Sequence, residues 1–227
     1  MDRIYNWAII GCGRIARKFS SDLKLLPNAR RYAVASRNLL RAKEFAMEYG
    51  YEKFYGSYEE LLEDNNIDVV YIATPHSFHH RQTLMCLNKK KAVLCEKSFA
   101  MNKNEALEMA DKARANNTFL MEAFFTMFQP VFQKTMEILN SGKLGRIKMI
   151  RSDFGFNAPY DPQNRLYNIS LGGGSLLDIG IYPVFTTLYF LGKPEQIKSF
   201  AAQSPTGSEE SINVLFKYSE GVMANLT

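Results

Sequence analysis

A strand, a glycine turn and a helix follow one another at the start of the chain, and this order constrains the fold more than any other feature. An apolar, β-prone run over 7–10 leads directly into Gly11-Cys12-Gly13-Arg14-Ile15-Ala16. Ile15, Phe19 and Leu23 then recur at helical spacing. This order predicts one unit of a parallel sheet, with the turn at the carboxyl end of the first strand.

The spacing of small residues in this turn is typical of a dinucleotide-binding site. Gly11 permits the tight turn, and Gly13 lets the backbone approach a diphosphate closely. Ala16 is small enough for the helix to pack against the sheet, while the backbone N–H groups of Arg14 and Ile15 face the anion. A plain strand-to-helix turn without a ligand is the alternative interpretation.

Helix-forming and β-prone segments alternate over the remainder of residues 1–122. The helix predicted over 39–49 closes on Gly50, as at a C-terminal cap. This alternation predicts an α/β fold with a doubly wound parallel sheet, a Rossmann domain, over 1–122. The predicted strands cover 32–35, 54–55, 69–73, 92–95 and 119–121, and the predicted helices cover 39–49, 58–63, 76–88 and 104–115.

The character of the chain changes after Glu122, where aromatic residues crowd together. We expect a second domain over 123–227, with α+β architecture and a mainly antiparallel sheet. Its strand pattern stops in mid-course at Thr227, so the domain is expected to be truncated. Its predicted helices are 130–139 and one opened by the Gly172–Gly174 turn, and its predicted strands are 147–156, 197–201, 212–218 and 222–226.

Composition excludes several classes of protein. Hydrophobic residues make up 46% of the chain and charged residues 22%, which is the balance of an ordinary globular protein. The net charge of +5 comes from scattered residues, so no nucleic-acid module is expected, and Lys89–Lys91 is interpreted as a solvated turn. No stretch approaches the length of a membrane span. Three widely spaced cysteines predict neither disulfides nor a metal site, and we expect a soluble, cytoplasmic protein.

The end of the second strand predicts which dinucleotide is bound. Enzymes that use NAD usually place a carboxylate there to accept hydrogen bonds from the ribose 2′-hydroxyl, whereas this chain has Ser36 and Arg37. An arginine can form paired hydrogen bonds with a 2′-phosphate, and Arg41 lies on the same side of the following helix. The sequence therefore favours NADP over NAD, unless both arginines are ordinary surface residues.

Cys95-Glu96-Lys97 ends the fifth predicted strand, at the edge of the sheet where ligands bind. A lysine at this edge can exchange a proton with the oxygen of a reacting carbon. Taken alone, a Glu–Lys pair at a strand end is more often a surface ion pair. The residues by themselves leave both interpretations open.

The order of these motifs resembles the glucose-fructose oxidoreductase, inositol dehydrogenase and rhizopine-catabolism (Gfo/Idh/MocA) superfamily over the whole chain. The resemblance rests on Gly11–Ala16, on Ala73-Thr74-Pro75 with His76 and His79, on Cys95-Glu96-Lys97, and on Gly172-Gly173-Gly174-Ser175-Leu176-Leu177-Asp178-Ile179-Gly180-Ile181-Tyr182-Pro183. Many relatives have histidine in place of Tyr182. Together with Ser36-Arg37, Tyr182 makes the chain similar to the NADP-linked branch of dimeric dihydrodiol dehydrogenases, D-xylose dehydrogenases and glucose-fructose oxidoreductases.

The resemblance implies a role for particular residues. Lys97 and Tyr182 would form the acid/base pair, with Asp178 beside them in the substrate pocket, and either Lys97 or Tyr182 can carry the proton. The further coenzyme contacts that it implies are Thr74, Pro75, His76, His79, Glu96 and Lys97.

Asp178 has a structural alternative, because with Ser175 it could form half of a helix-capping arrangement. Asp178 and Tyr182 are four residues apart, which places them on one face if the helix is regular through Gly180. A helix tolerates a proline such as Pro183 only in its first turn.

Two pairs of residues have a functional and a structural interpretation. His76 and His79 could contact the coenzyme or the substrate, or they could be solvated helix residues. No carboxylate or cysteine joins them at a metal-ligand spacing, so no metal site is predicted. Phe125 and Phe154 could wall the substrate pocket or belong to the core.

The chain departs from the family pattern in two places, and two functional hypotheses follow. Relatives usually have proline after the lysine, where this chain has Ser98, and they continue with further strands beyond the position of Thr227. The first hypothesis is an oxidoreductase that transfers a hydride between nicotinamide C4 and a carbinol or carbonyl carbon of a sugar or small diol, with homodimerisation through the C-terminal sheet as an option. The second is a truncated relative that binds nucleotide without turnover, as a regulatory protein or a fragment.

Overall fold

The computed structural model describes residues 3–227, which form two compact units. The first unit ends at Ala123 and the second spans Phe124–Thr227.

The first unit is a six-stranded parallel sheet with the strand order β3-β2-β1-β4-β5-β6. This order confirms the predicted doubly wound sheet. The strands are β1 Tyr5–Ile10, β2 Ala29–Ala35, β3 Lys53–Tyr55, β4 Val69–Ile72, β5 Ala92–Glu96 and β6 Leu120–Ala123. The helices are α1 Arg14–Leu23, α2 Leu39–Tyr49, α3 Tyr58–Glu63, α4 His79–Asn88 and α5 Lys103–Ala115, and a short 3-10 turn at His76–Phe78 precedes α4.

The reversal of strand order in the middle of this sheet determines where a ligand can bind. From β1 the chain proceeds outward to β2 and β3, then returns to the other side of β1 for β4, β5 and β6. Loops at the carboxyl ends of β1 and β4 therefore diverge to opposite faces and leave a crevice between them.

Local signals explain where most helices of this unit begin and end. The Asn38 side chain accepts a hydrogen bond from the Arg41 N–H at 3.1 Å, and Ser57 and Asn102 cap α3 and α5 in the same way. Gly50 ends α2 in the left-handed conformation, with φ at 71°. The predicted bounds of α2 are confirmed.

The core of the first unit lies on both faces of the sheet. Ala8 and Ile10 belong to the buried cluster on one face, whereas Ile9 belongs to the cluster on the other. Strands buried on both sides read as continuous apolar runs, which is why they are recognisable in the sequence. Burying one such isoleucine contributes roughly 1.5–3 kcal/mol relative to leaving it exposed.

The second unit contains two helices and a mixed four-stranded sheet with the order β7-β10-β9-β8. β10 pairs with β7 in parallel, and the other pairs are antiparallel. The side chains of Phe216 and Leu226 are buried among others on one sheet face, where Val184 and Leu191 pack against them. The elements are α6 Pro130–Asn140, β7 Met149–Ser152, α7 Ile181–Leu191, β8 Gln196–Gln203, β9 Glu209–Lys217 and β10 Met223–Leu226.

The predicted long strand over 147–156 is wrong in extent, because β7 covers only Met149–Ser152. The ladder continues through two further bonds, from the Thr227 N–H to the Ser152 carbonyl at 3.0 Å and from the Phe154 N–H to the Thr227 carbonyl at 2.9 Å. Strand propensity depends on the structural context, so β-prone residues alone do not extend a strand.

The helix is not regular through Gly180. Residues Leu176–Gly180 form a π-helical turn, and α7 begins only at Ile181. Pro183 therefore lies in the first turn of α7, where its missing N–H removes no helical hydrogen bond. Single π turns inside helices occur frequently at functional sites.

One helical segment within residues 3–227, Ile169–Leu191, is long and apolar enough to cross a membrane by length and composition alone. The expectation that no stretch reaches that length was therefore wrong. Core helices of soluble proteins can have the same length and composition. Gly172, with φ at 81°, interrupts the segment, and the buried Asp178 lies inside it.

Candidate active site

The turn after β1 depends on glycine at its first position. Gly11 has φ at 97°, a conformation that residues with a side chain rarely adopt. A Cβ atom at Gly11 would lie 2.8 Å from the Ala73 carbonyl oxygen. The conformation and packing of the protein itself thus account for Gly11.

Packing does not account for Gly13 in the same way. Its φ is −86°, and the nearest atom to an added Cβ, the Ala73 carbonyl oxygen, would be 3.8 Å away. Gly13 precedes α1, whose start has no side-chain cap, so the first N–H groups at Arg14 and Ile15 lack a capping side chain. Ala16 is fully buried against the sheet.

The end of β2 brings two arginines to this turn. Arg41 donates a hydrogen bond from Nη2 to the Cys12 carbonyl at 3.2 Å, and the Arg37 guanidinium lies 5.9 Å from the centre of the Phe78 ring. Ser36 is buried, and its hydroxyl accepts a bond from the Asn38 N–H at 3.3 Å. Within residues 3–227 neither arginine forms an ion pair with a carboxylate.

A cavity of about 330 Å³ opens beside Arg37. Arg37 and Arg81 both contribute to its lining, together with Tyr58, Pro75 and Phe78. Burial raises the pKa of the Tyr58 hydroxyl, and the charge of Arg37 opposes that rise. Sequence reasoning missed Arg81, and no pattern in a single sequence distinguishes it from other exposed arginines.

The two histidines after Pro75 are buried, so their interpretation as solvated helix residues is wrong. The ring of His79 lies between two backbone carbonyl oxygens: Nδ1 is 2.7 Å from that of Ser98, and Nε2 is 2.8 Å from that of Thr74. Burial lowers the pKa of His79 to about 4, although both carbonyl contacts act to raise it. His79 thus links the loop after β4 to the segment after β5.

Lys97 follows β5 directly, and two partly buried carboxylates bond to the backbone of its segment. One carboxylate oxygen of Glu96 accepts a hydrogen bond from the Tyr71 hydroxyl, and the other accepts one from the Lys97 N–H at 3.1 Å. Glu122 accepts a bond from the Phe99 N–H at 3.0 Å. Glu96 is thus only partly exposed and is bonded to Tyr71 within the fold. The Lys97–Ser98 peptide bond is cis.

The two carboxylates share an electrostatic environment with the lysine. Burial raises the pKa of both Glu96 and Glu122, and the charge of Lys97 opposes that rise in each case. Sequence reasoning missed Glu122 and Tyr71. The available signals were an acidic residue at the end of a predicted strand next to β5, and a hydroxyl within a buried strand, where it needs a partner.

Tyr182, in the second unit, lies among phenylalanine rings. Its ring centre is 5.2 Å from that of Phe124, 5.4 Å from that of Phe154 and 6.5 Å from that of Phe125. Phe125 and Phe154 are 58% and 44% exposed, so the interpretation that they are core residues is wrong.

Asp178 is buried and forms an ion pair. Its Oδ1 accepts a hydrogen bond from Arg165 Nη1 at 2.8 Å. The capping interpretation is not supported, because the Ser175 hydroxyl is buried without a hydrogen-bond partner. Arg165 lies 13 residues before Asp178, and sequence reasoning missed it.

Comparisons with known proteins agree with the motifs. A family model described as "Oxidoreductase family, NAD-binding Rossmann fold" matches residues 5–124, and the GFO/IDH/MocA C-terminal domain matches residues 132–227. Trans-1,2-dihydrobenzene-1,2-diol dehydrogenases of Mus musculus and Homo sapiens are each 41% identical over 97% of this chain and 67% of their own length.

Solved structures of similar fold include two oxidoreductases. A 3-ketoreductase from Actinomadura kijaniata in complex with NADP and TDP-benzene is 29% identical, with a TM-score of 0.89 over 99% of this chain and 69% of its own. An aldose-aldose oxidoreductase from Caulobacter crescentus is 26% identical, with a TM-score of 0.89 over 99% of this chain and 70% of its own. The chain spans about two thirds of the length of the relatives that it matches. Motifs, fold and comparisons together show that the chain belongs to the GFO/IDH/MocA oxidoreductase family.

Proposed function

We propose that this protein is an NADP-dependent oxidoreductase that interconverts a carbinol and a carbonyl carbon of a small diol or sugar. The observation that carries the proposal is the open glycine turn at the carboxyl edge of the parallel sheet. Residues up to Ala123 form the coenzyme-binding domain, and residues from Phe124 onward form the substrate and oligomerisation domain.

The glycine turn fits a dinucleotide diphosphate. An added Cβ at Gly13 would meet no protein atom closer than 3.8 Å, so close approach by a ligand explains a glycine that packing does not require. The N–H groups of Arg14 and Ile15 at the start of α1 supply hydrogen-bond donors and a positive dipole to an anion.

The arginines at the end of β2 favour NADP over NAD. Arg37 and Arg41 have no carboxylate partner within residues 3–227, and a 2′-phosphate would supply one through paired hydrogen bonds. The 330 Å³ cavity beside Arg37 suits the adenine, which can pack against Pro75 and Phe78. The coenzyme contacts assigned at the same edge of the sheet also include Thr74, His76, His79 and Glu96.

The proton chemistry is assigned to Lys97 and Tyr182. NADP(H), when bound, supplies or accepts the hydride at nicotinamide C4. Lys97 and the Tyr182 hydroxyl exchange the proton at the substrate oxygen, while Asp178, oriented by Arg165, accepts a hydrogen bond from a neighbouring substrate hydroxyl.

The residues around Tyr182 favour a diol on an apolar ring as the substrate. The rings of Phe124, Phe125 and Phe154 lie within 6.5 Å of the Tyr182 ring, centre to centre. Such a surface favours an aromatic or alicyclic diol, the class named in the dehydrogenases of 41% identity. Aldoses are the second class to test.

The coenzyme preference is tested by Arg37→Ala, with Arg30→Ala at the other end of the same strand as the control. We expect Arg37→Ala to weaken NADPH binding far more than NADH binding, measured by coenzyme fluorescence. Arg30 pairs with Glu52 on the surface, so Arg30→Ala should change neither affinity. Equal losses for both coenzymes in Arg37→Ala would contradict the preference.

Turnover is tested with trans-dihydrodiols, aldoses and dicarbonyls, each with NADP⁺ or NADPH. Tyr182→Phe should lower kcat while leaving coenzyme affinity nearly unchanged. Binding of NADPH without turnover of any of these substrates would favour the second hypothesis, a nucleotide-binding protein that is not an enzyme.

Compartment and assembly are also part of the proposal. Cys12, Cys86 and Cys95 are free and buried, which supports a reducing, cytoplasmic location. Phe200 is 83% exposed on β8, which supports a homodimer through the sheet of the second unit. Sedimentation that gives only a monomer at micromolar concentration would contradict the dimer.

A further inference from the structure

Three titratable side chains hold the backbone of residues 97–99. Glu96, at the end of β5, accepts a hydrogen bond from the Lys97 N–H at 3.1 Å. His79, from α4, lies 2.7 Å from the Ser98 carbonyl oxygen, and Glu122, from β6, accepts a bond from the Phe99 N–H at 3.0 Å. Each of the three consecutive residues is thus held by a different element of the fold.

These bonds hold a segment that the sheet does not hold. The pairing of β5 with β6 ends at Glu96, opposite Ala123, so the backbone groups of residues 97–99 lie beyond the ladder. Glu122 lies opposite Cys95 in the same pairing, and its side chain reaches forward to Phe99. The position of the Lys97 backbone therefore depends on hydrogen bonds to side chains.

We propose that Glu122 is a positioning residue for Lys97, because its carboxylate fixes the backbone of the segment that carries the lysine. The inference rests on the proposed function, in which Lys97 exchanges a proton with the substrate. Glu122 does not itself contact the substrate or the reacting atoms.

A partly buried acid at this edge of the sheet supports a functional role. Burial raises the pKa of Glu122, and the nearby Glu96 carboxylate raises it further, so the charged form is disfavoured there. An apolar residue in strand β6 would avoid this unfavourable burial. Groups kept in such an environment beside a sheet edge that binds ligands are typical of functional sites.

Two variants separate the position of the acceptor from its charge. Glu122→Gln keeps the length of the side chain and an oxygen acceptor but removes the charge. Glu122→Asp keeps the charge but withdraws the acceptor by one carbon. Glu105→Asp is the matched control, because Glu105 accepts a bond of the same length, 3.0 Å, from the Met101 N–H in the same loop.

Amide hydrogen exchange of the peptide that contains residues 97–99 is measured together with kcat and the Kd for NADPH. In Glu122→Asp we expect faster exchange and a kcat lower by about tenfold or more, since misplacing a reacting group by about 1 Å can cost on the order of 100-fold. The Kd for NADPH should stay within about twofold, because only the reacting group moves. Glu122→Gln and Glu105→Asp should keep kcat within about threefold of the unmodified protein.

Wild-type exchange and kcat in Glu122→Asp would overturn the inference, as would an equal loss of kcat in Glu105→Asp. A loss in Glu122→Gln as large as that in Glu122→Asp would also overturn it, because the charge would then matter rather than the position. If the unmodified protein shows no turnover, the proposed function fails, while the exchange measurement still decides whether Glu122 holds the segment.

Discussion

Both edges of the parallel sheet place a carboxylate beside tyrosine and lysine side chains, but the pKa of the carboxylate is lowered at one edge and raised at the other. At the amino edge, Asp64 accepts hydrogen bonds from the Lys53 ammonium at 2.7 Å and from the hydroxyls of Tyr55 and Tyr32 at 2.8 and 3.0 Å. At the carboxyl edge, Glu96 also has a tyrosine hydroxyl partner and a lysine nearby.

The pKa values of these acids move in opposite directions. Burial alone would raise the pKa of Asp64, but its hydrogen bonds outweigh burial and hold the pKa well below the usual range. For Glu96 and Glu122 burial dominates and the pKa rises. The carboxylate at the amino edge therefore stabilises the fold, whereas those at the carboxyl edge destabilise it and are candidates for function.

The lysines of the two edges show the same contrast. Lys91 was expected in a solvated turn, but it is only 6% exposed, and its Nζ donates to the carbonyls of Asp64 and Ile67 at 2.9 and 3.0 Å. Lys97 follows the opposite end of the same strand. One lysine thus joins loops within the fold, and the other is assigned to proton exchange.

Exchanging each lysine for methionine gives the largest expected effect. Lys97→Met should lower kcat/KM by roughly 10²–10⁴, the usual contribution of a general acid or base. Lys91→Met should leave kcat/KM unchanged and lower the unfolding free energy by about 1–3 kcal/mol, because two buried carbonyls lose their donor. Steady-state kinetics measures kcat/KM, and urea unfolding measures the unfolding free energy. Equal changes of both quantities in the two variants would contradict the contrast between the two lysines.

Asp64→Asn should show the next largest effect, a loss of about 2 kcal/mol of unfolding free energy. The amide keeps the shape of the side chain but loses the charge that attracts Lys53 and the tyrosine hydroxyls. The Kd for NADPH should not change, since Asp64 lies at the opposite edge. A normal unfolding midpoint would show that this network contributes little.

The pH dependence of stability should differ in sign between the two edges, by a few tenths to about 1 kcal/mol. The folded-state pKa of Asp64 lies below its usual 3.8, so the advantage of the wild type over Asp64→Asn is complete above that pH and shrinks as the pH falls below it. The folded-state pKa of Glu122 lies above its usual 4.5, so the wild type loses stability relative to Glu122→Gln as the pH rises past 4.5. Urea unfolding at pH 3 to 7 measures both differences, and parallel trends would contradict the contrast.

Much of the first unit could be predicted because its signals are local. The cap at Asn38 and the left-handed Gly50 lie next to the helix that they delimit, and the glycine turn lies between the strand and helix that it joins. The prediction failed where the outcome depends on distant partners. β7 ends at Ser152 although β-prone residues follow it, and residues Leu176–Gly180 form a π turn.

The site was predictable to the same degree. Gly11 and Gly13 follow the end of β1 and Arg37 follows the end of β2, so a short spacing from a predicted strand identifies each of them. Glu122 and Arg165 reach their partners Phe99 and Asp178 from 23 and 13 residues away, so only the folded chain reveals them. Side chains that position other side chains leave no periodic pattern in the sequence.

Calorimetric titration of NADP⁺ into the protein, with and without Gly13→Ala, tests the central claim most directly. The fold leaves room for the added methyl group. Alanine is a poorer N-cap residue than glycine, so Gly13→Ala should still fold but with an unfolding free energy lower by about 1 kcal/mol. We predict binding at one site in the wild type, with affinity lower by about tenfold or more in Gly13→Ala because the methyl group would occupy the path of the diphosphate. The absence of binding to the wild type, or equal affinity in both proteins, would contradict a coenzyme site at this glycine turn.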